Sequence, residues 1–232
     1  SLWHETARKL RIQPETLHTE MESVQAEIKG LEEGFDIEKL QKELAAARQA
    51  YETQADLLST ARKKAAQALS KRVTESMQTL SMQGGVFVVD VAKAEPSIKG
   101  SDNIEFRVAG HPGVTPQAIQ KVASGGELAR ISLAITVNTV ESTPVPTLIF
   151  DEVDSGIGGA VAETVGRYLR LLASNKQVLC VTHLPQVAAQ GHNHFQVSKD
   201  ISAQTTRSKI VQLESKARVE EIARMLGGQV IT

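Results

Sequence analysis

Two adjacent carboxylates, Asp151 and Glu152, follow directly on the apolar run Thr147-Leu148-Ile149-Phe150. An apolar strand that ends in two acids sets a metal ligand and a proton acceptor at the carboxyl edge of a sheet. Phosphate ligands bind at such edges in open α/β folds. Neighbouring strand residues point to opposite faces, so the two acids are expected to divide the work. One would hold a Mg2+ ion, directly or through water, and the other would take a proton from a water attacking a γ-phosphate. The plain alternative is a solvated loop start after a buried strand.

Two further pieces fit that chemistry. Ser124-Gly125-Gly126-Glu127 stands directly before a helical pattern. Two glycines admit an anion close to the backbone, and a helix start offers unpaired N–H groups with a partial positive charge. Ser124 adds a hydroxyl; alone, it would be read as an ordinary helix cap. His183 ends the next apolar run, Gln177 to Thr182, and shares the sheet edge with Asp151 if the two strands are neighbours, which suits a hydrogen bond to a phosphate. The loop Asp154-Ser155-Gly156-Ile157-Gly158-Gly159 does not match G-x-G-x-x-G and reads as a flexible interface loop, with Asp154 its functional candidate. Cys180 lies inside a strand with no partner for a nucleophile.

These groups need a scaffold, and the periodicity supplies one. After Gly84-Gly85 the pattern alternates: residues 86–91 and 104–108 read as paired strands, and residues 111–120 as a loop. Helix 159–173 between strands 147–151 and 177–182 makes a strand–helix–strand unit, which implies parallel pairing. Segments around 195–198 and 209–213 suggest a hairpin, and 216–226 a final amphipathic helix. Before residue 83 the chain is helical. Residues 13–33 carry a seam of Leu17, Met21, Val24, Ile28 and Leu31, and Pro14 suits the first turn. Gly34 separates them from residues 37–82, where Asp36 would cap the start without a capping-box partner, Lys39 standing in that place. From Ile37 through Leu40, Leu44 and Leu58 the spacing is again of threes and fours, and it changes phase at Leu69, Val73, Met77 and Leu80.

Such a helix, roughly 70 Å long, is not stable alone in water and needs a partner along its length. Either the chain dimerises through this arm or a partner helix comes from upstream of residue 1. Arg62, Lys63, Lys64, Lys71 and Arg72 cluster on it, as a solvated face or, less simply, as a phosphate-contacting one. With 232 residues, 41% of them hydrophobic, the chain can bury a sizeable core, and 26 basic against 27 acidic residues announce no global nucleic-acid field. One cysteine, no signal peptide and no long apolar span favour the cytoplasm over a membrane.

The residues named resemble the ATP-binding-cassette ATPases: Ser124 to Glu127 their signature motif, Thr147 to Glu152 their Walker B strand, Asp154 their D-loop acid, and Thr182-His183 their switch histidine. Three longer stretches, residues 121–130, 151–159 and 181–188, are similar to the RecN family of SMC-like proteins. That resemblance implies an α/β fold: the carboxy-terminal lobe of an ABC/SMC-type P-loop ATPase head (83–232) with the returning half of a long antiparallel coiled-coil arm (1–82). It implies ATP and Mg2+ as ligands, with Glu152 and His183 catalytic, Asp151 on the metal, and Ser124, Gly125, Gly126, Glu127 and Asp154 at the nucleotide. The implied partners are DNA, an amino-terminal lobe carrying Walker A, and a second copy through ATP-bound heads or the arm. The implied role is recombinational repair of double-strand breaks at the nucleoid. No G-x-x-x-x-G-K-[ST] loop occurs in these residues, so the chain is expected to be a carboxy-terminal fragment, inactive alone. Another SMC-like head is the runner-up. A transporter cassette fits worse, because of the arm and of residues 154–159, and a non-catalytic scaffold would have no use for Glu152.

Overall fold

The computed structural model describes residues 2–34, 37–122, 124–142, 144–202 and 205–227. Asp36, Ala123 and Gly228 lie outside them, so the expected cap at Asp36 is not described. Two compact units divide at Leu58 and Ser59.

The first unit holds α1 (Leu2–Leu10), α2 (Leu17–Gly34) and the beginning of α3 (Ile37–Gln78). Sequence periodicity did not indicate α1. It closes on Arg11, whose φ is +59°, with Ile12 N donating back to Ala7 O at 3.0 Å. That is how a left-handed residue ends a helix. Pro14 then opens a single 3-10 turn, and Trp3 Nε1 donates to its carbonyl at 2.9 Å. The heptad seam forms as expected and stays bare: Met21, Val24, Ile28, Leu31, Ile37, Leu40 and Leu44 are each 45–69% exposed. An apolar stripe with this spacing is a surface that a second helix would cover.

The second unit begins at Ser59, within α3, and from the phase change at Leu69 the helix enters that unit's core. Val73 and Met77, with Leu80 and Met82 just beyond the helix, are fully buried beside Phe87, Ile131, Leu133 and Val165. The lower end of α3 is therefore a core helix of the lobe. Its hydroxyls also satisfy the nearest strand: Phe87 N donates to Thr74 Oγ1 at 3.0 Å and Val89 N to Ser70 Oγ at 2.9 Å. The helix ends at a Gln78 side chain that accepts from Gly84 N (2.7 Å) and donates to Gly85 O (3.0 Å). Gly84 has φ +75°, and a Cβ there would strike Pro112 at 2.3 Å, so only glycine fits.

Strand β1 (Val86–Ser97) pairs antiparallel with β2 (Gly100–Ala109), and β2 with the short β3 (Gln117–Ala118) inside the expected loop. Then come α4 (Gly125–Thr139), β4 (Thr147–Phe150), α5 (Gly159–Leu172), β5 (Gln177–Cys180), α6 (Pro185–Ala188), the hairpin β6 (His194–Ser202) with β7 (Thr205–Leu213), and α7 (Ser215–Gly227). β4 and β5 are parallel neighbours, in register Thr147↔Gln177 to Phe150↔Cys180. One face of this pair packs into the core through Leu148, Phe150, Val178 and Cys180. The other is bare: Ile149 is 71%, Leu179 47% and Val181 65% exposed. Among the described residues, no third strand joins the pair, and no helix is long and apolar enough to cross a membrane.

Candidate active site

Three chain segments meet at the carboxyl end of the parallel pair. β4 stops at Phe150, so Asp151 and Glu152 lie past the strand. They are separated by a sharp turn rather than by strand alternation. Glu152 has φ +56°, a left-handed backbone on a residue that is not glycine. Such strain of about 1–3 kcal/mol persists only where the surroundings over-determine it, and functional sites are where it collects. Asp151 Oδ1 holds the turn by accepting from Glu152 N at 3.0 Å, and Ser155 N donates to Glu152 O at 3.0 Å. Both carboxylates are exposed.

β5 delivers the second segment to the same edge, because Val181 N still donates to Phe150 O at 3.0 Å. His183 follows with a 67% exposed side chain, its Nδ1 3.4 Å from Asp154. Asp154 itself is 2% exposed. One of its oxygens accepts from the Thr182 hydroxyl in a short hydrogen bond, from His183 N at 3.1 Å and from Leu184 N at 3.3 Å. The carboxylate expected in an interface loop is thus sunk beneath the site, and it fixes the backbone that presents His183. Adjacent-strand placement of His183 was legible in the sequence; the anchor under it was not. Cys180 sits just below, its thiol pushed up to about 12 by burial and by Asp154 and Asp151, which makes it an inert strand residue.

The third segment is the start of α4. Ser124 is the N-cap in extended conformation and accepts from Glu127 N at 3.4 Å. Gly125 lies against the acidic turn: a Cβ there would be 2.9 Å from Glu152 Oε2. Gly126 is as tightly placed, with Ser155 O 3.0 Å and Arg130 Nη1 3.2 Å from its Cβ position. The Glu127 carboxylate is 4.0 Å from His111 Nε2. The structure thus brings Ser124, Gly125, Gly126, Asp151, Glu152, Asp154 and His183 around one edge. Sequence reasoning assigned no role to Arg130, although a charge one helical turn after Gly126, within a broad apolar stripe, was a signal.

Mg2+ is commonly held by one or two carboxylates together with waters and substrate phosphates. The exposed Asp151 fits that donor set. Among the described residues no three His, Cys, Asp or Glu side chains gather to hold a metal without such help.

No protein-family model matches the chain. It is similar to the DNA repair protein RecN of Xylella fastidiosa, 44% identical over 229 residues, and to those of Haemophilus influenzae and Vibrio cholerae, each 42% identical over 230 and 229 residues. Each match covers 97% of this chain and 41% of the relative's length. Two solved structures share the fold. One is an Smc head domain with an extended coiled coil from Pyrococcus furiosus, bound to the C-terminal domain of ScpA. It has a TM-score of 0.55 and 21% identity, over 97% of this chain and 52% of that one. The other is an Smc head domain with a coiled coil and joint from Pyrococcus yayanosii, with a TM-score of 0.51 and 23% identity over 91% and 43%. The α/β head with its coiled-coil arm is therefore the fold of this chain.

Proposed function

Since this chain is a relative of the RecN proteins over 97% of its own length, we propose that it supplies the carboxy-terminal lobe and returning arm of a Mg2+-dependent ATPase in recombinational repair of DNA double-strand breaks. The observation that carries the reading is the half-covered parallel pair. Purely parallel sheets are normally buried on both faces, yet Ile149, Leu179 and Val181 face outward here. An amino-terminal lobe bearing a Walker A loop would cover them and bring the missing phosphate cradle to the edge where Asp151 and His183 stand.

In the completed head, Asp151 would hold a Mg2+ ion, which would supply positive charge to the phosphates. Glu152 takes the proton from the attacking water, and His183 hydrogen-bonds the γ-phosphate. Asp154 serves that nucleotide indirectly, by holding the His183 backbone. Ser124, Gly125 and Gly126, with Glu127 behind them, offer an anion site at the start of α4 to the γ-phosphate of a second head. ATP then joins two heads, and the bare seam of the arm pairs with another helix. DNA is the cargo, and the cytoplasm the compartment.

The test is reconstitution. This chain and an amino-terminal lobe from the same protein are expected to show no ATPase activity apart and Mg2+-dependent hydrolysis together. Hydrolysis by this chain alone, or an assembled pair that stays inactive, would overturn the assignment.

A further inference from the structure

Arg130 is 6% exposed, one helical turn after Gly126 on α4. A guanidinium withdrawn from water is costly unless its donors are met. Here Nη1 donates to Ser155 O at 2.7 Å, while Nε is buried with no acceptor among the described residues. Burial pushes the group's pKa down from its ordinary value, and only the nearby Glu127 charge pulls it up. An apolar side chain would fill the same space at lower cost, so the contact with Ser155 is what sets arginine apart.

The same contact spans two functional segments. Ser155 N closes the turn that carries Glu152, and the Glu152 carboxylate lies against Gly125. Gly126 leaves no slack, since a Cβ there would meet Ser155 O, Ser155 Cβ and Arg130 Nη1 at 3.0, 3.1 and 3.2 Å. The first turn of α4 and the acidic turn are therefore held as one piece, with Arg130 beneath as the strut.

We propose that Arg130 is a positioning residue that couples the two nucleotide sites of a head dimer, by tying the Ser124 turn to the Glu152 turn within one chain. This rests on the reading that Ser124 serves the partner head's nucleotide while Glu152 serves its own. Phosphate contact at Ser124 then shifts α4, Arg130 carries the shift to Ser155, and Glu152 moves with it. Each site then hydrolyses faster when the other is filled, while a single whole site keeps a lower rate.

The experiment uses the full-length protein with Arg130 wild type, Arg130→Met and Arg130→Lys, each assayed for ATPase rate against ATP concentration and for ATP binding. Coupled sites give a Hill coefficient above about 1 in the wild type. Arg130→Met should bring it back to about 1 and lower kcat by about a hundredfold, the order expected of a misplaced catalytic group, with KM changed less than about twofold. Arg130→Lys, which can still reach one carbonyl, should restore part of both. A folded Arg130→Met protein with wild-type cooperativity and kcat overturns the proposal, as does a wild-type Hill coefficient of about 1.

Should Arg130→Met fail to fold, amide exchange in the wild type decides. Residues 124–127 and 151–156 must gain protection together when ATP is added, and protection of one segment alone overturns the coupling. Mixing a Ser124→Arg protein with a Walker A-dead one tests the trans arrangement separately. Rescue there with unaltered cooperativity in Arg130→Met removes the coupling and leaves the composite site standing.

Discussion

Glu152 shows what a residue type says and what only the backbone adds. Two acids after an apolar strand were enough to assign a metal ligand and a base. Strand alternation would divide their labour, but the strand ends at Phe150 and a left-handed turn at Glu152 separates them. The expected consequence for chemistry is unchanged. In a reconstituted head, Glu152→Gln should keep ATP binding and lose about 10²–10⁴ in turnover, because an amide preserves shape and cannot accept a proton. Near-normal hydrolysis by that variant would remove Glu152 from the role of base. Asp154 was legible as functional, but the strands and loop that bury it come together only in three dimensions. No spacing rule announces that Thr182 and two backbone N–H groups converge on one oxygen.

Among the elements, α3 was the most readable and also the one whose meaning changed. Its length and its seam were visible, and so was the break in phase at Leu69. The break marks where the apolar stripe stops lying bare and starts filling the lobe's core. The compact units divide between Leu58 and Ser59, before that break and well before the end of helical periodicity near residue 82. Near the division, Arg62 donates to Asp102 Oδ2 at 3.0 Å and to Lys99 O at 2.8 Å, and Ser59 donates to Asp102 Oδ1 at 2.8 Å. The Ser59 and Arg62 hydrogen bonds hold the Asp102 carboxyl below its usual range. Arg62 is thereby engaged within the lobe, whereas Lys63, Lys64, Lys71 and Arg72 stay exposed on the helix. Substitutions along α3 should separate its two parts. Met77→Ala, at a fully buried position, should cost the lobe about 2–5 kcal/mol. Leu40→Ala, 51% exposed, should stay within about 0.5 kcal/mol in the isolated chain. Urea unfolding of each variant checks the contrast, and equal losses at the two positions would contradict it.

At the scale of the whole molecule, the chain is defined by surfaces it leaves open. Strand–helix–strand order and parallel pairing followed from the sequence, because connection length and periodicity are local. That one face of the β4–β5 pair is bare, and that the arm's seam is bare as well, shows only in the folded chain: a hydrophobic pattern tells which residues want cover and not which have found it. Helix α1 escaped for a related reason. Its nine residues are too short for a convincing period, and the Trp3–Pro14 hydrogen bond that ties it down joins residues eleven apart. Both open surfaces support a head that is completed by other chain segments, and the exposed Ser124 turn supports an active site shared between two such heads. The central claim is that sharing. Its most direct measurement mixes full-length Ser124→Arg protein with a Walker A-dead variant, each inactive by itself. In a mixed dimer both lesions fall in one composite site and leave the other whole, so ATPase activity should return. If mixed dimers form and the mixture stays as inactive as its parents, the trans arrangement is contradicted, and Ser124 acts within its own head or only caps α4.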